Sequence, residues 1–167
     1  AADLGELPAL HPFASNAGSF RIGEIEVTPC AVPHDAREPC QFVFAAAGRR
    51  LGVLTDAGQV TPHIVASLTG VDALLLECNH DTGMLVNGPY PPALRARVGG
   101  PFGHLSNRQA ADLLQRLDEQ EQKILVLERK LEIKEEADKS ATASAAVAKA
   151  SPRGFSIQSA DAKNQVK

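Results

Sequence analysis

A chain of 167 residues with a formal net charge of −3 and a pI near 6.0 has room for one ordinary domain and an appendage. Its net negative charge excludes attachment to nucleic acid by bulk electrostatics, so any such contact requires a local basic patch. No apolar run approaches the roughly 20 residues of a membrane-spanning helix, and no secretory leader is predicted.

In chain order, residues 20–32 alternate apolar and polar around a Gly23-Glu24 turn signal and read as two short strands. Gln41–Ala46 is a third strand and Arg50–Thr55 a fourth, joined as a hairpin by an Ala-Gly-Arg-Arg turn. Pro62–Leu68 reads as a short helix with Thr61 as its N-cap. The continuous apolar run Ala73–Glu77 predicts a strand buried on both faces. Residues 81–103, rich in Gly and Pro, are expected to be loops around a short helix at 92–98. Ser106 or Asn107 then caps a helix that runs without Gly or Pro to about residue 139.

Composition divides the chain near residue 118. All seven lysines lie beyond it, whereas all five histidines and all three cysteines lie before it, which marks two segments of different character. The predicted organisation is a mixed strand-and-helix domain over 1–118, a helix or short coiled coil over 119–139, and a linker with an isolated strand-like end over 140–167. Leu117, Ile124 and Leu131 recur every seven residues, the pattern of a self-associating helix as well as of a solvated amphipathic one. The Ala/Ser/Thr stretch 140–151 has little to bury. Cys30, Cys40 and Cys78 are odd in number and lack CxxC spacing, which points to a reducing compartment. Residue 1 is alanine and the one methionine is Met84, so the expectation is a processed start or a piece of a longer protein.

Chemistry concentrates at strand ends. His34 follows a strand just beyond Pro33, and Asp56 ends another strand 22 residues later, before Gly58. Imidazole and carboxylate suit zinc or manganese, and an aspartate can bridge two cations; a structural histidine is the plainer alternative. Glu77-Cys78-Asn79-His80-Asp81 follows the apolar strand, and Gly103-His104-Leu105-Ser106-Asn107 opens a helix. Arg95, Arg97 and Arg108 flank His104 in sequence and suit bidentate phosphate contacts, or form a solvated face.

The phrases VPHDAREP, LGVLTDAG, LLLECNHD, GPYPP and GHLSN, in this order over residues 10–118, resemble the WalJ/YycJ-like branch of the metallo-β-lactamase-fold hydrolases. The resemblance implies an αββα sandwich, of which this chain would hold half, and a dinuclear zinc or manganese centre that hydrolyses phosphodiesters, with DNA as the usual substrate. By position, His34 resembles a metal-ligating histidine and Asp56 the aspartate that bridges both metals. His104 resembles the histidine beside the scissile phosphate that protonates the leaving oxygen. Glu77, His80 and Asp81 match a signature and are expected to support or tie loops. His11 and His63 match nothing.

The sequence also departs from that pattern. The HxHxDH motif and the later HLS histidine are absent, so two divalent cations are expected at most weakly here, and the expected activity is that of a truncated hydrolase, inactive alone. Residues 120–167 resemble the N-terminal coiled coil and first strand of phosphate-selective-type porins, which makes an envelope interaction module the alternative function. Expected partners are a nucleic acid substrate and, through the helix, further copies of the chain. The expected location is the cytoplasm, or the periplasm and outer membrane if the tail acts as a porin segment.

Overall fold

A computed structural model describes residues 18–144 and the strands at 147–151, 154–158 and 165–166. His11 lies outside the described residues, as do parts of the expected 140–151 linker and of the strand-like end. The chain divides into two compact units, 1–121 and 122–167.

The first unit is built on a five-stranded sheet in the order β1 (Phe20–Ile22), β2 (Ile25–Ala31), β3 (Cys40–Ala46), β4 (Arg49–Leu54), β5 (Ala73–Leu76). The first four strands are antiparallel neighbours, and β5 joins β4 in parallel. The β1–β2 and β3–β4 hairpins each turn in two residues. In the second, Ala47 and Gly48 both have positive φ (49° and 72°), the combination that a tight turn matching the strand twist requires. The parallel step from β4 to β5 needs a crossover, supplied by α1 (Pro62–Leu68). Thr61 caps α1 as its sequence predicts, its hydroxyl accepting from the Ile64 amide at 3.2 Å.

Because β2 and β4 are each antiparallel to β3, and β5 is parallel to β4, these three strands exit at one edge of the sheet. The loops after them carry His34, Asp56 and Glu77. Topology, rather than local sequence, makes these three residues neighbours.

One sheet face holds the core. Cys30, Val43 and Leu54 of the strands pack there with Ile64, Val65 and Leu68 of α1 and with Leu105 and Leu113. Burial pushes the Cys30 thiol pKa up. Gly52 lets α1 approach the sheet, for a Cβ there would lie 2.6 Å from Leu68 Cδ2 and 3.0 Å from Leu74 Cδ1. Gly52→Val is accordingly expected to cost about 1–3 kcal/mol by overpacking, read from a urea unfolding curve.

The opposite face carries Ile25, Phe44, Leu51, Val53 and Leu75, and Leu75 is 58% exposed. This corrects the expectation that β5 is buried on both faces. Helical packing covers the Leu74/Leu76 side of β5, and its apolar run reflects two apolar sheet faces rather than two covered ones.

A second correction concerns residues 81–91. Despite Gly83 they include a helix, α2 (Thr82–Asn87), because Asp81 caps it by accepting from the Met84 amide at 2.9 Å. The helix expected at 92–98 is α3 (Pro92–Val98). The last helix, α4 (Asn107–Ser144), opens on a reciprocal capping box. The Gln109 amide donates to Ser106 Oγ, and Gln109 Oε1 accepts from the Ser106 amide and hydroxyl.

α4 outruns the expected end at 139, since the Ala-rich continuation is helix-favouring and nothing in it breaks a helix before Ser144. In the second unit, β6 (Val147–Ser151) pairs with β7 (Gly154–Gln158), and β7 with β8 (Gln165–Val166), all antiparallel. The strand read as isolated therefore has neighbours on both sides, and 147–151 is strand rather than linker. Ladder hydrogen bonds, invisible to a composition argument, account for this difference. Among the described residues no helix is long and apolar enough to cross a membrane.

Candidate metal centre

Four loops meet at the shared exit edge. The Gly58 amide donates to the Pro33 carbonyl at 2.7 Å, which ties the Asp56 loop to the His34 loop. A side chain on Gly58 would collide with the backbone of Pro101, so that loop packs closely against the segment leading to His104. His34 Nδ1 donates to the Gly103 carbonyl at 2.9 Å. A carbonyl can only accept, so this bond puts the proton on Nδ1 and leaves the Nε2 lone pair of the neutral ring available.

That Nε2 lies 3.9 Å from Asp56 Oδ1, and His104 Nδ1 lies 3.7 Å from the same oxygen. The two imidazoles meet edge-on with ring centroids 5.1 Å apart. His34, Asp56 and His104 each offer one ligand atom, and these atoms all lie within 4.8 Å of one another. Two imidazoles and a carboxylate are a donor set that fits a divalent cation such as zinc or manganese. The sequence makes His34 and Asp56 the expected ligands and His104 a catalytic histidine converging on the same sheet edge; the geometry sets a ligand atom of each of the three within one cluster.

Glu77 holds this cluster from beneath. Its side chain is 7% exposed, and Oε2 accepts from His104 Nδ1 at 2.9 Å. Oε1 accepts from the amides of Ala57 (2.8 Å) and Leu105 (3.2 Å). One carboxylate thus fastens the residue after Asp56 to the residue after His104 and orients the His104 ring. Asp81 caps α2, and the His80 backbone bridges to Ser106, so both serve the same loops further from the cluster.

Of the three arginines, Arg97 reaches the centre. Its Nε donates to Asp35 Oδ2 at 2.6 Å, and Asp35 Oδ1 lies 3.4 Å from His34 Nε2. The Arg97 hydrogen bond holds the Asp35 carboxyl below the usual carboxylate range. Arg95 turns away, donating from Nη1 to the Val86 carbonyl, and Arg108 is exposed on the first turn of α4. Asp35 is the neighbour that sequence reasoning passed over; its adjacency to His34 was the one signal for it.

Comparison with known proteins places the chain in a family. The profile of the Beta-lactamase superfamily domain matches residues 4–126. Exodeoxyribonuclease YycJ of Bacillus anthracis is 35% identical over 109 residues, 65% of this chain and 41% of the relative. Exodeoxyribonuclease WalJ of Streptococcus pneumoniae is 33% identical over 92 residues, 55% of this chain and 34% of the relative. The chain therefore spans less than half the length of the curated relatives it matches. Among solved structures, zinc-bound PqqB from Methylobacterium extorquens aligns with a TM-score of 0.42 at 24% identity, covering 53% of this chain and 34% of that one. A match over most of the first unit, with the histidines and aspartate of that match meeting at one sheet edge, means that the chain belongs to the beta-lactamase superfamily.

Proposed function

We propose that this chain contributes to a metal-dependent phosphodiester hydrolase that acts on DNA. The observation that carries the proposal is the convergence of His34, Asp56 and His104 at one sheet edge, in a chain 35% identical to an exodeoxyribonuclease. His34, Asp56 and His104 would hold a divalent cation, whose chemistry is to activate water and offset charge on a phosphoryl oxygen. Glu77 accepts from His104 Nδ1–H, which leaves the Nε2 lone pair free to hold the cation; Nε2 could serve a leaving oxygen as an acid only after taking up a proton to give the imidazolium that Glu77 would stabilise. Arg97, anchored through Nε to Asp35, retains guanidinium donors for a phosphate. Arg95 has one Nη committed to Val86, and Arg108 stands at the helix start; both are weaker substrate contacts in this reading.

Among the described residues these donors suffice for one cation, whereas two-cation hydrolysis needs a second set. The chain alone is therefore a weak hydrolase or none. The test is a 5′-labelled DNA strand incubated with the purified chain and manganese or zinc, with Asp56→Ala in parallel. Little cleavage is expected from the chain by itself. Metal-dependent cleavage is expected once the stretch of YycJ that the chain does not match is supplied in trans. Equal rates for the Asp56→Ala chain in that mixture would sink the proposal.

The helix adds a self-association surface to this reading. Ile124, Leu127 and Leu131 are 42–61% exposed on α4, and helical pairing would bury them. A concentration-dependent rise in sedimentation coefficient, abolished by Ile124→Lys with Leu131→Lys, is the expected result.

A further inference from the structure

A cavity of about 510 Å³, within the range of small-molecule sites, has walls that include Asn79, His80, Met84, Tyr90 and Asn107. It is built on the same two segments as the cluster. Glu77 and His104 stand at one end of them. Two residues further along the first, the Asn79 amide donates to the Leu105 carbonyl at 3.1 Å, and the Asn107 amide donates to the His80 carbonyl at 2.9 Å. Two residues of chain span at most about 7 Å, so the Asn79 end of the cavity wall lies within that reach of Glu77, the carboxylate that orients His104.

Its chemistry is mixed in a particular way. The main-chain amides of Asn79 and Asn107 are used in pairing the segments, while their side-chain amides make no hydrogen bond among the described residues. Each such amide offers a donor and an acceptor. Nδ1 of His80 is, among the described residues, the one buried side-chain polar atom without a partner, and it belongs to a residue of this wall. Tyr90 is 49% exposed. Its ring packs close to Gly88, where a Cβ would lie 3.0 Å from Cδ2 and 3.1 Å from Cε2, an approach that the missing side chain permits. Met84, 75% exposed, adds a polarisable apolar surface.

A half-exposed aromatic ring with unspent amides beside it is the equipment for stacking on a planar heterocycle and for reading its edge. We propose that this cavity receives the nucleobase of the nucleotide whose phosphate lies at the cluster. The proposal rests on the reading of the chain as a DNA phosphodiester hydrolase and deepens it: hydrolysis would be tied to strands with an intact, unstacked base at that position. An abasic position would lose this anchoring. Arg97 and the cluster would still take the phosphate.

The chain has one tyrosine and no tryptophan, so 3-fluorotyrosine incorporation gives a single fluorine resonance, that of Tyr90. The probes are thymidine 5′-monophosphate, deoxyadenosine 5′-monophosphate and 2-deoxyribose 5-phosphate. A saturable shift with the two nucleotides and none with the sugar phosphate is the expected result. Equilibrium dialysis with labelled thymidine monophosphate should show about tenfold weaker binding for Tyr90→Leu, near-normal binding for Tyr90→Phe, and weakening for Asn79→Ala with Asn107→Ala. Manganese broadening of the His34 and His104 imidazole resonances, followed in the same samples, reads the cluster independently and should be unchanged by the Tyr90 variants. An equal shift with the sugar phosphate would overturn the base assignment. So would an unmoved resonance alongside normal manganese broadening, which would give the cavity to a polypeptide side chain and leave the hydrolase reading standing. A nucleotide shift without manganese broadening would support the base cavity and count against the metal centre.

Discussion

Glu77→Ala is expected to destabilise the first unit by about 3 kcal/mol or more. The carboxylate satisfies the amides of Ala57 and Leu105, both at 0% exposure, and each buried N–H left unpaired costs about 1–3 kcal/mol. Glu77→Gln separates this structural duty from the chemical one. Its carbonyl oxygen still accepts from both amides, so most of the stability returns. Its NH2, however, faces His104 Nδ1, and two donors cannot share a hydrogen bond. The His104 ring must then move its proton to Nε2 or turn away. Chemical denaturation reads the first effect, and the nitrogen chemical shifts of His104 read the second. A Glu77→Gln protein with an unchanged His104 tautomer would show that the pair is held by something else.

Asp56→Ala is expected to act in the opposite proportion, with little effect on folding and a large one on cation affinity. The Asp56 side chain is 48% exposed and, among the described residues, its hydrogen bond is a long contact of 3.4 Å from Thr55 Oγ1, so its loss costs the fold little. It is nevertheless the carboxylate facing both imidazoles, at 3.9 and 3.7 Å. Removing it should weaken manganese binding by about 100-fold or more, since even residues that merely orient ligands contribute 10–100-fold. Calorimetric titration checks the value. Manganese is the better probe than zinc, because Cys78 is an exposed thiol and thiolates attract the softer ion. Equal manganese affinity in the Asp56→Ala protein would remove Asp56 from the centre.

Much of the local structure was legible from residue order. The alternation over 20–32, the turn at Ala47-Gly48, the Thr61 cap with Pro62 behind it, and the Ser106 cap are short-range devices whose partners lie within about seven residues. Where the reading fell short, the deciding interaction was also close by but easily outweighed. Gly83 argued for a loop, and one hydrogen bond from Asp81 was enough to start α2. In the tail, an Ala/Ser composition said nothing about strand pairing, because Val147–Ser151 is a strand only by virtue of Gly154–Gln158 beside it.

The candidate site divides along the same line. By itself the sequence determined which residue types stand at the strand exits, His34, Asp56 and Glu77, and that His104 opens α4, because strand ends and helix caps are encoded locally. Only the tertiary structure decided that these exits share one edge, through two antiparallel pairings and one parallel crossover. It also decided that Glu77 serves two loops at once, that Arg97 and not Arg95 reaches Asp35 near His34, and that Asn79, Tyr90 and Asn107 line one cavity. Contacts spanning 20 to 62 residues, such as Ala57 with Glu77 and Asp35 with Arg97, depend on how the chain crosses over, and periodicity carries no record of that.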